Sequence, residues 1–508
     1  MSIFEKPRTY IDSRLQGLTM KKILVITAIA LFSVMAFSPV AFASSHSSST
    51  GSTSTDYTVY PMSYAVQVSP DTVIPAAVPL CKTSGGLYLV CYTPTFIRTA
   101  YNYPTNLDGT GQTIVIVDAF GSPTIQNDLA SFDSLFGIPA PPSFTILCPT
   151  GGCPAFSPNN SHDPVGWAFE TSLDVEYAHA MAPGANIVLA VASTNSGNAI
   201  NTIEAQAISL YPGSIMSQSF GTPEFLINGN RAQLAQAQSN YATAQAEGIT
   251  VFASAGDWGA TNCFSASASC VSFANAAFPA SSPLNTAVGG TQGYPYLDPT
   301  TPASCPKNKI CNIGLATVHG PCTSSRPALG TPQCTPVGYG GEQVWNEPFF
   351  GFGACTGGAP SLFFGAPSYQ QGLSYTDTSG TTSTVTMRTT ADVSYNAAIN
   401  GGVLVFTSFL GANIIFIVGG TSAGSPQWAA IGALANQAAG HSLGFLNNAI
   451  YKIAHGPNYS KDFHDITIGN DQETGTPVGF NAVTGWDPAS GWGTPNVANL
   501  IPDLVANA

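Results

Sequence analysis

Short apolar runs alternate with longer amphipathic segments through the first half of the chain. The runs are rich in Val, Ile and Ala and end near Gly, Ser or Asn, which is typical of buried strands. The predicted strands span residues 113–117, 186–192, 214–218 and 250–253, and the predicted helices span residues 125–136, 166–181 and 231–247. This alternation predicts an α/β fold in which a parallel sheet carries helices on both faces.

Residues 402–418 are apolar enough to suggest a membrane span, but Gly411 and Asn413 interrupt them and the composition favours strands. We therefore predict two buried strands, followed by the small-residue turn 419–426 and a helix over residues 427–438. Ser422 in this turn would present its hydroxyl at a helix N-terminus, where unpaired N–H groups favour negative charge. It is a candidate nucleophile, although a serine that only caps the helix gives the same pattern.

Two carboxylates share one face of the predicted helix 166–181. Glu170 and Asp174 are four residues apart, and no Lys or Arg occurs between residues 167 and 192. Because like charges at this spacing raise the pKa of one group, the pair can share a proton and act as a general base toward a serine hydroxyl. The alternative is an ordinary solvated acidic face.

Asp257 follows the predicted strand 250–253 in a Gly-Asp-Trp-Gly turn. Catalytic groups in α/β sheets gather at the carboxyl ends of strands. A protonated Asp at such a position can donate a hydrogen bond to a developing oxyanion, which an ionised carboxylate cannot do. An Asp that merely caps the turn is the alternative.

Together these motifs resemble the sedolisin family, the serine-carboxyl peptidases that share a fold with subtilisin. The family's nucleophile motif matches residues 420–426, and the resemblance extends from about residue 93 to residue 502 with the motifs in family order. It implies a single large subtilisin-like catalytic domain over residues 91–508. In that domain Ser422 would be the nucleophile, Glu170 and Asp174 the base pair, and Asp257 the oxyanion residue.

The resemblance also implies one structural Ca²⁺ ion near the C-terminus. Its ligands would be the side chains of Asp465 and Asp487 and the carbonyls of Ile466, Val483 and Gly485, in Gly-rich loops that can bring oxygen ligands together. Without the resemblance, a pair of Asx turns would explain the same residues.

Subtilisin-type chemistry with a histidine base is the main rival. Asp118 ends the first predicted strand, where subtilisin keeps its triad aspartate, but no His followed by Gly and a helix comes after it. His162 precedes Asp-Pro, and His179 lies toward the end of the helix that carries Glu170. We interpret Asp118 as a strand-end residue and His179 as a structural helix residue.

Composition favours activity in acid. Only 8% of residues are charged, with 14 Lys and Arg against 27 Asp and Glu, and the sequence pI is about 4.7. A chain with few ion pairs loses little when carboxylates are protonated, and few basic residues limit positive self-repulsion. The acidic balance excludes nucleic acid as an expected partner.

The N-terminal region predicts export. Residues 1–19 are polar and charged, and we interpret them as a mis-assigned start or an extra leader. Residues 20–43 have the basic, apolar and small-residue parts of a signal peptide, so a secreted protein is expected, monomeric and free of the membrane after cleavage. Residues 44–90 are predicted to be a short linker or propeptide remnant, and residues 294–341 a Cys- and Pro-rich insertion.

Eleven cysteines in an exported chain predict disulfides with one thiol left over. Pairs close in sequence are plausible local bridges, and Cys355 has no near partner. The plausible pairs are Cys148/Cys153, Cys263/Cys270, Cys305/Cys311 and Cys322/Cys334.

The predicted function is an acid-active secreted peptidase that cleaves protein and peptide substrates, as an endopeptidase. A tripeptidyl exopeptidase of the same family and an inactive binding relative are the alternatives. A surface adhesion protein is disfavoured because the sequence shows no tandem repeat and no anchoring segment after Pro502.

Overall fold

The computed structural model describes residues 56–70, 72, 80–158, 163–227, 229–263, 272–293, 310–319, 335–351 and 353–508. The predicted leader 1–19 and signal peptide 20–43 lie outside these residues, as do most of the insertion 294–341 and part of the segment 44–90. The boundaries given for these regions stay predictions.

The described residues form twenty-five strands and ten α-helices. The helices are α1 Pro94–Ala100, α2 Ile125–Phe136, α3 Pro164–Met181, α4 Gly197–Leu210, α5 Glu224–Ile227, α6 Arg231–Ala246, α7 Gly424–Ala439, α8 Asn447–Ala454, α9 Tyr459–Asp462 and α10 Val497–Asn507. The strands are β1 Tyr60–Pro61, β2 Tyr64–Gln67, β3 Leu80–Lys82, β4 Tyr88–Tyr92, β5 Thr113–Ala119, β6 Phe144–Leu147, β7 Asn186–Ala192, β8 Ile215–Gln218, β9 Phe220–Pro223, β10 Thr250–Ser254, β11 Ala277–Phe278, β12 Thr286–Gly293, β13 Ile310–Ile313, β14 Ala316–His319, β15 Thr335–Tyr339, β16 Glu342–Val344, β17 Pro360–Gly365, β18 Ser374–Thr376, β19 Thr382–Thr384, β20 Met387–Thr389, β21 Val393–Asn396, β22 Gly402–Thr407, β23 Ile414–Gly419, β24 Phe463–His464 and β25 Thr494–Pro495.

The central sheet has the strand order β16-β12-β10-β8-β5-β7-β6, and β21 also pairs with β12. All of its pairs are parallel except β12 with β16. Val117 of β5 and Ala253 of β10 both lie opposite Gln218 of β8. The carboxyl ends of these three strands therefore meet at one edge of the sheet, and the residues that follow them are brought together there.

Helices cover both faces of this sheet, as the sequence predicted. Ile114 and Ile116 of β5 belong to the core beneath α3 and α7, whereas Val115 and Val117 belong to the core beneath α4 and α6. Successive strand residues point to opposite faces, so an unbroken apolar strand serves two buried layers. The parallel sheet with helices on both faces is confirmed.

A second sheet carries the nucleophile turn, with the strand order β2-β23-β22-β4-β3. The apolar run 402–418 forms the antiparallel strands β22 and β23, which confirms the two-strand prediction. Strand β2, from the N-terminal segment, pairs antiparallel with β23. None of the helices in the described ranges is long and apolar enough to cross a membrane.

Disulfides join segments that are close in sequence. Cys148 and Cys153 are bonded as predicted, and Cys81 and Cys91 form a bridge that the sequence analysis did not identify. Cys355 is free and buried, as expected. Cys263 is disulfide-bonded, while its predicted partner Cys270 lies outside the described residues, as do Cys305, Cys322 and Cys334 of the remaining pairs.

Candidate active site

Ser422 lies in the tight turn between β23 and α7. Gly420 has φ +117°, and a Cβ at this position would lie 2.4 Å from Met62 O and 2.6 Å from Asp257 Oδ2, so only glycine fits. The 3₁₀ turn Thr421–Ala423 then places Ser422 just before the first residue of α7. The Ser422 hydroxyl donates to the carbonyl of Ser219 at 3.0 Å.

Glu170 and Asp174 lie on α3 and are both 0% exposed, which excludes the solvated acidic face. Burial raises the pKa of Glu170 well above its usual range, and hydrogen bonding to the Ser422 hydroxyl lowers it in part. Burial, followed by the charges of Asp118 and Glu170, likewise raises the pKa of Asp174. The structure thus brings the predicted pair and the predicted nucleophile together in a water-poor site.

Asp118, which was predicted only to be a strand-end residue, belongs to the same cluster of buried carboxyl side chains as Glu170 and Asp174. It lies there because it is near the end of β5, at the carboxyl edge of the sheet. Burial raises the pKa of Asp118 to about 7, and its charge raises the pKa of both neighbours. Three carboxyls that interact this strongly exchange protons as one unit.

Asp257 follows β10 and is fully buried beside the nucleophile turn. Its Oδ1 accepts hydrogen bonds from the backbone N–H and the hydroxyl of Thr421, at 2.8 and 2.7 Å. Its Oδ2 has no hydrogen-bond partner among the described residues. Burial raises the pKa of Asp257 well above its usual range, which favours a protonated Oδ2 that can donate into the space next to Gly420.

No imidazole of the described residues is hydrogen-bonded to Ser422 or Glu170. Ser422 is instead hydrogen-bonded to Ser219 and Met62. His179 is buried in α3, where its Nε2 lies 2.9 Å from Pro139 O, which supports the structural interpretation. His162 lies outside the described residues.

A stretch of the N-terminal segment, residues 57–63, runs through the cleft and is called the cleft segment below. Gly197 N–H donates to Tyr57 O at 2.8 Å, and Val59 N–H donates to Asn195 O at 2.9 Å. Strand β1, inside the cleft segment, pairs antiparallel with β9. The cleft segment is therefore held as an extra strand between the loop after β7 and β9.

The end of the cleft segment meets the predicted catalytic residues. Ser422 N–H donates to Met62 O at 3.2 Å, and the Ser63 hydroxyl donates to Glu170 Oε2 at 2.7 Å. The Met62 carbonyl therefore accepts a hydrogen bond from Ser422 N–H in the turn that also contacts Asp257. No motif in the sequence marks Met62, Ser63 or Ser219 as site residues.

The five residues predicted to bind calcium are also brought together. Gly485 N–H lies 3.1 Å from both carboxyl oxygens of Asp465, and Val483 N–H donates to Asp487 Oδ2 at 3.0 Å. Burial, and to a smaller extent the charge of Asp465, raises the pKa of Asp487 to about 8. No donor among the described residues is paired with the carbonyl oxygens of Ile466, Val483 and Gly485.

These two carboxyls and three unpaired carbonyl oxygens fit the oxygen ligands that Ca²⁺ prefers. No cluster of three or more His, Cys, Asp or Glu side chains suited to a metal occurs in the described ranges, so carbonyl ligands would have to complete the set.

Comparison with known proteins agrees with this fold. No family model matches the chain. In structure the chain is similar to Pseudomonas sedolisin, a serine-carboxyl proteinase complexed with two molecules of pseudo-iodotyrostatin, with a TM-score of 0.61 and 25% identity over 82% of this chain and 98% of that one. The fold is therefore the subtilisin-like α/β fold.

Two curated relatives that are similar in sequence indicate the family of peptidases. Kumamolisin of Bacillus sp. (strain MN-32) is 30% identical over 424 residues, which is 82% of this chain and 64% of the relative. Tripeptidyl-peptidase 1 of Bos taurus is 26% identical over 467 residues, 88% of this chain and 69% of the relative. The chain thus spans about two thirds of the length of these relatives. It belongs to the sedolisin family.

Proposed function

We propose that the protein is a serine-carboxyl peptidase that hydrolyses peptide bonds through an acyl-enzyme on Ser422. The observation that supports this most directly is that the Ser422 side chain acts on the pKa of the buried Glu170 carboxyl, whose Oε1 has no hydrogen-bond partner among the described residues, and that the unpaired Asp257 Oδ2 lies beside the same turn. Nucleophile, base and oxyanion donor are then present in one site. An inactive binding relative would not need all three.

In the proposed reaction Glu170 accepts the Ser422 proton while the Ser422 oxygen bonds to the substrate carbonyl carbon. Asp174 and Asp118 share protons with Glu170 and so hold one basic carboxylate in the group. Ser422 N–H and protonated Asp257 stabilise the tetrahedral oxyanion. Glu170 returns its proton to the leaving amine, and water then releases the acyl group.

This chemistry favours acid. An imidazole base, with a pKa of about 6.5, would be mostly protonated at pH 4. Carboxyl side chains that share protons lose the first proton at a lower pH than the rest, because neighbours that are still protonated can donate to the single charge. Asp257 donates only while it is protonated, so activity should fall as Asp257 ionises toward neutral pH.

Within the peptidase proposal, the length of the cleft favours an endopeptidase. Six residues of the cleft segment, from Tyr57 to Met62, lie on the N-terminal side of the carbonyl that contacts Ser422. A tripeptidyl exopeptidase needs a group that closes the cleft after three residues. The backbone contacts of Val59 and Tyr57 lie beyond that limit.

We further propose that Asp465, Ile466, Val483, Gly485 and Asp487 hold one structural Ca²⁺ ion, which would neutralise the two facing carboxylates and tie their loops together. Secretion is also part of the proposal. It is supported by the predicted signal peptide and by the Cys81–Cys91 and Cys148–Cys153 disulfides.

The test is a pH–rate profile on a peptide library, with the products sized by mass spectrometry and Ser422→Ala as the blank. We expect internal cleavage with an optimum below pH 6. A flat profile that peaks above pH 7 would count against the carboxyl base. Products of three residues only would support the tripeptidyl alternative.

A further inference from the structure

We infer that a cavity remote from the candidate active site binds a sugar acid, which is a pyranose ring that carries a carboxylate. The cavity has a volume of about 590 Å³ and lies between helix α1, strand β15 and Asn496 at the start of α10. It is called the α1 cavity below. A volume of this size suits a small organic ligand. The insertion predicted at residues 294–341 supplies β15, so this site would give part of that insertion a role.

The α1 cavity lies at the opposite edge of the central sheet from the candidate active site. Arg98, in its lining, donates from Nη1 to the carbonyls of Ala180 and Met181 at the C-terminal end of α3, at 3.3 and 2.8 Å. The chain then enters β7 at Asn186, which pairs with Thr113, the first residue of β5. This end of α3 is therefore at the amino edge of the parallel sheet, whereas the proposed catalytic residues lie at the carboxyl edge.

Arg98 gives the α1 cavity a positive charge, and no carboxylate among the described residues forms an ion pair with it. Its Nη2 makes one long contact of 3.5 Å with Pro104 O, and its Nε has no hydrogen-bond partner within the described ranges. Burial lowers the pKa of Arg98, and the charges of neighbouring groups, Asp108 among them, offset this only in part. A ligand carboxylate would supply the missing counter-charge and accept from the free N–H groups.

Two aromatic rings form a flat wall of the α1 cavity. The rings of Tyr339 and His464 are stacked, with centroids 3.6 Å apart and planes within 4° of each other. The Tyr339 hydroxyl donates to Glu342 at 3.0 Å, and this buried carboxyl also accepts from the hydroxyls of Tyr101 and Thr494. The wall is therefore fixed before a ligand arrives. Its flat surface suits the C–H face of a pyranose ring.

Neutral hydrogen-bonding groups complete the lining. Asn102 Nδ2 donates to Asn496 Oδ1 at 2.8 Å, which leaves Asn102 Oδ1 and Asn496 Nδ2 without a partner among the described residues. The hydroxyls of Thr95 and Thr105 have no partner there either, and both residues are exposed. Amides and hydroxyls of this kind can donate to and accept from the hydroxyls of a sugar.

The charge, the flat wall and the neutral polar groups together favour a sugar acid over simpler ligands. A neutral sugar would leave the Arg98 charge without a counter-ion, and a small inorganic anion would use neither the aromatic wall nor the amides. The described residues around the cavity include no Asp or Glu, although the chain has 27 of them. An anionic ligand therefore meets no like charge in the lining.

Binding of a sugar acid would attach the protein to an acidic glycan while the cleft at the other edge of the sheet stays free. The same chemistry occurs in a chain of uronate units and in a glycan that ends in a sialate unit. The inference does not depend on the proposed peptidase function, because no residue of that site lines the α1 cavity.

The first experiment measures binding of galacturonate, galactose and sulfate to the full-length protein by titration calorimetry at pH 5, where a sugar carboxylate is ionised. We expect galacturonate to bind at least about tenfold more tightly than galactose, because only the acid pairs with Arg98. Sulfate should bind more weakly than galacturonate. Equal binding of galactose and galacturonate, equal binding of sulfate and galacturonate, or no binding of galacturonate would overturn the inference.

The second experiment places a competing carboxylate in the lining. Thr95→Asp lies three residues before Arg98 on the same face of α1, so the new side chain can neutralise Arg98, and a negative charge in the first turn favours the helix. We expect the affinity for galacturonate to fall at least about tenfold. The control is Thr202→Asp, at an exposed position of α4 outside the cavity, which should bind as the parent does. Unchanged galacturonate affinity in a folded Thr95→Asp protein would contradict the site.

Arg98→Gln separates the charge from the rest of the cavity. This variant should lose the preference for galacturonate over galactose and keep the binding of galactose, because the aromatic wall and the amides remain. Its Tm is compared with that of the parent, since Arg98 also binds the carbonyls at the end of α3. A folded Arg98→Gln protein that keeps the full preference would refute the assigned role of Arg98.

The source of the sugar acid is tested with trigalacturonate and sialyllactose, with lactose as the neutral control. Tighter binding of one acidic glycan supports the inference and identifies the source, and binding of neither overturns it. Peptide hydrolysis is measured with and without saturating galacturonate and should not change. Loss of hydrolysis would contradict the separation of the two sites. A protein that binds galacturonate but cuts no peptide would refute the proposed function and leave this inference standing.

Discussion

The hydroxyl of Ser63 donates a 2.7 Å hydrogen bond to Oε2 of Glu170, a residue 107 positions further along the chain. This contact links the N-terminal segment directly to the carboxyl proposed as the catalytic base. Two hydroxyls, of Ser422 and Ser63, lower the pKa of Glu170 against the larger effect of burial. The pKa of the proposed base is therefore tuned by the segment that fills the cleft as well as by the proposed nucleophile.

The nucleophile and the base should be separable from the fold by substitution. Ser422→Ala should reduce kcat by about 10⁴-fold or more, and Glu170→Gln by about 10²–10⁴-fold, because each removes a group that acts in the transition state. Both should keep the wild-type Tm within a few degrees. The matched control is Glu176→Gln, which changes another buried glutamate of α3 that accepts from Phe406 N–H. A Glu170→Gln enzyme as active as the control would refute the assigned base.

Asp257 should set the alkaline limb of the pH–rate profile. Asp257→Ala should cost about 10²–10³-fold in kcat, because it removes one oxyanion donor. Asp257→Asn retains a donor that does not titrate, so it should be more active than the alanine variant. Its alkaline limb should also move to higher pH, since the wild-type limb reflects loss of the Asp257 proton. An identical alkaline limb in the Asn variant would show that another group controls it.

Asp118 should act on the base through its charge. Its carboxylate raises the pKa of Glu170 and Asp174, so Asp118→Asn should lower both. The acid limb of kcat/KM should then move to lower pH. Asp128→Asn removes a buried carboxyl outside this cluster and should leave the limb in place. If both variants shift the limb equally, the effect is general destabilisation and Asp118 has no special role.

Fold stability should fall as pH rises. Burial raises the pKa of Glu204 to about 8, so between about pH 4.5 and pH 8 the folded chain keeps a proton that the unfolded chain loses. Each such proton lowers the free energy of unfolding by about 1.4 kcal/mol per pH unit. Tm measured from pH 4 to pH 8 in the Ser422→Ala background should decrease, and Glu204→Gln should flatten the decrease.

The exposed Glu247→Gln serves as the control for Glu204, because it removes a carboxyl at the surface end of α6. Its Tm curve should follow that of the parent chain. A Tm that rises from pH 4 to pH 8 in the parent would contradict the linkage.

Calcium should stabilise the folded chain without entering the chemistry. Addition of excess chelator should lower Tm by several degrees, and Ca²⁺ should restore it, because an ion that binds only the folded state stabilises it by mass action. Asp487→Asn should lose this response to Ca²⁺. Mg²⁺, which demands a tighter octahedral shell, should restore less. A Tm that is independent of chelator in the parent chain would remove the calcium proposal.

The sheet was predictable because its strands and helices carry strong local periodicity. The strand over Asn186–Ala192 and the helix over Ile125–Phe136 begin and end where the sequence pattern placed them. Helix α7 instead begins at Gly424, before the predicted residue 427, since Gly and Ser carry little hydrophobic signal. The burial of Glu170 and Asp174 could be suspected only from the missing Lys and Arg around them.

Other parts of the site had no local signal. Asp118 lies near the end of a strand, as many structural aspartates do. It becomes part of the cluster of buried carboxyl side chains only because α3 lies next to it. The cleft segment could not be predicted because its partners Asn195, Phe220 and Ser422 are far away in sequence. A pattern within residues 57–63 says that they form a strand, but not which cleft that strand fills.

Glu176 and Glu204 are as fully buried as the reacting carboxyls, although neither belongs to the site. The preference for acid that we propose would then reside in these interior carboxyls as well as in the overall composition. If Ser422, Glu170 and Asp257 were grafted onto a scaffold adapted to neutral pH, we expect the reaction to be transferred without the stability of the fold in acid. Conversely, raising the working pH of this protein would require replacing interior acids that never meet a substrate.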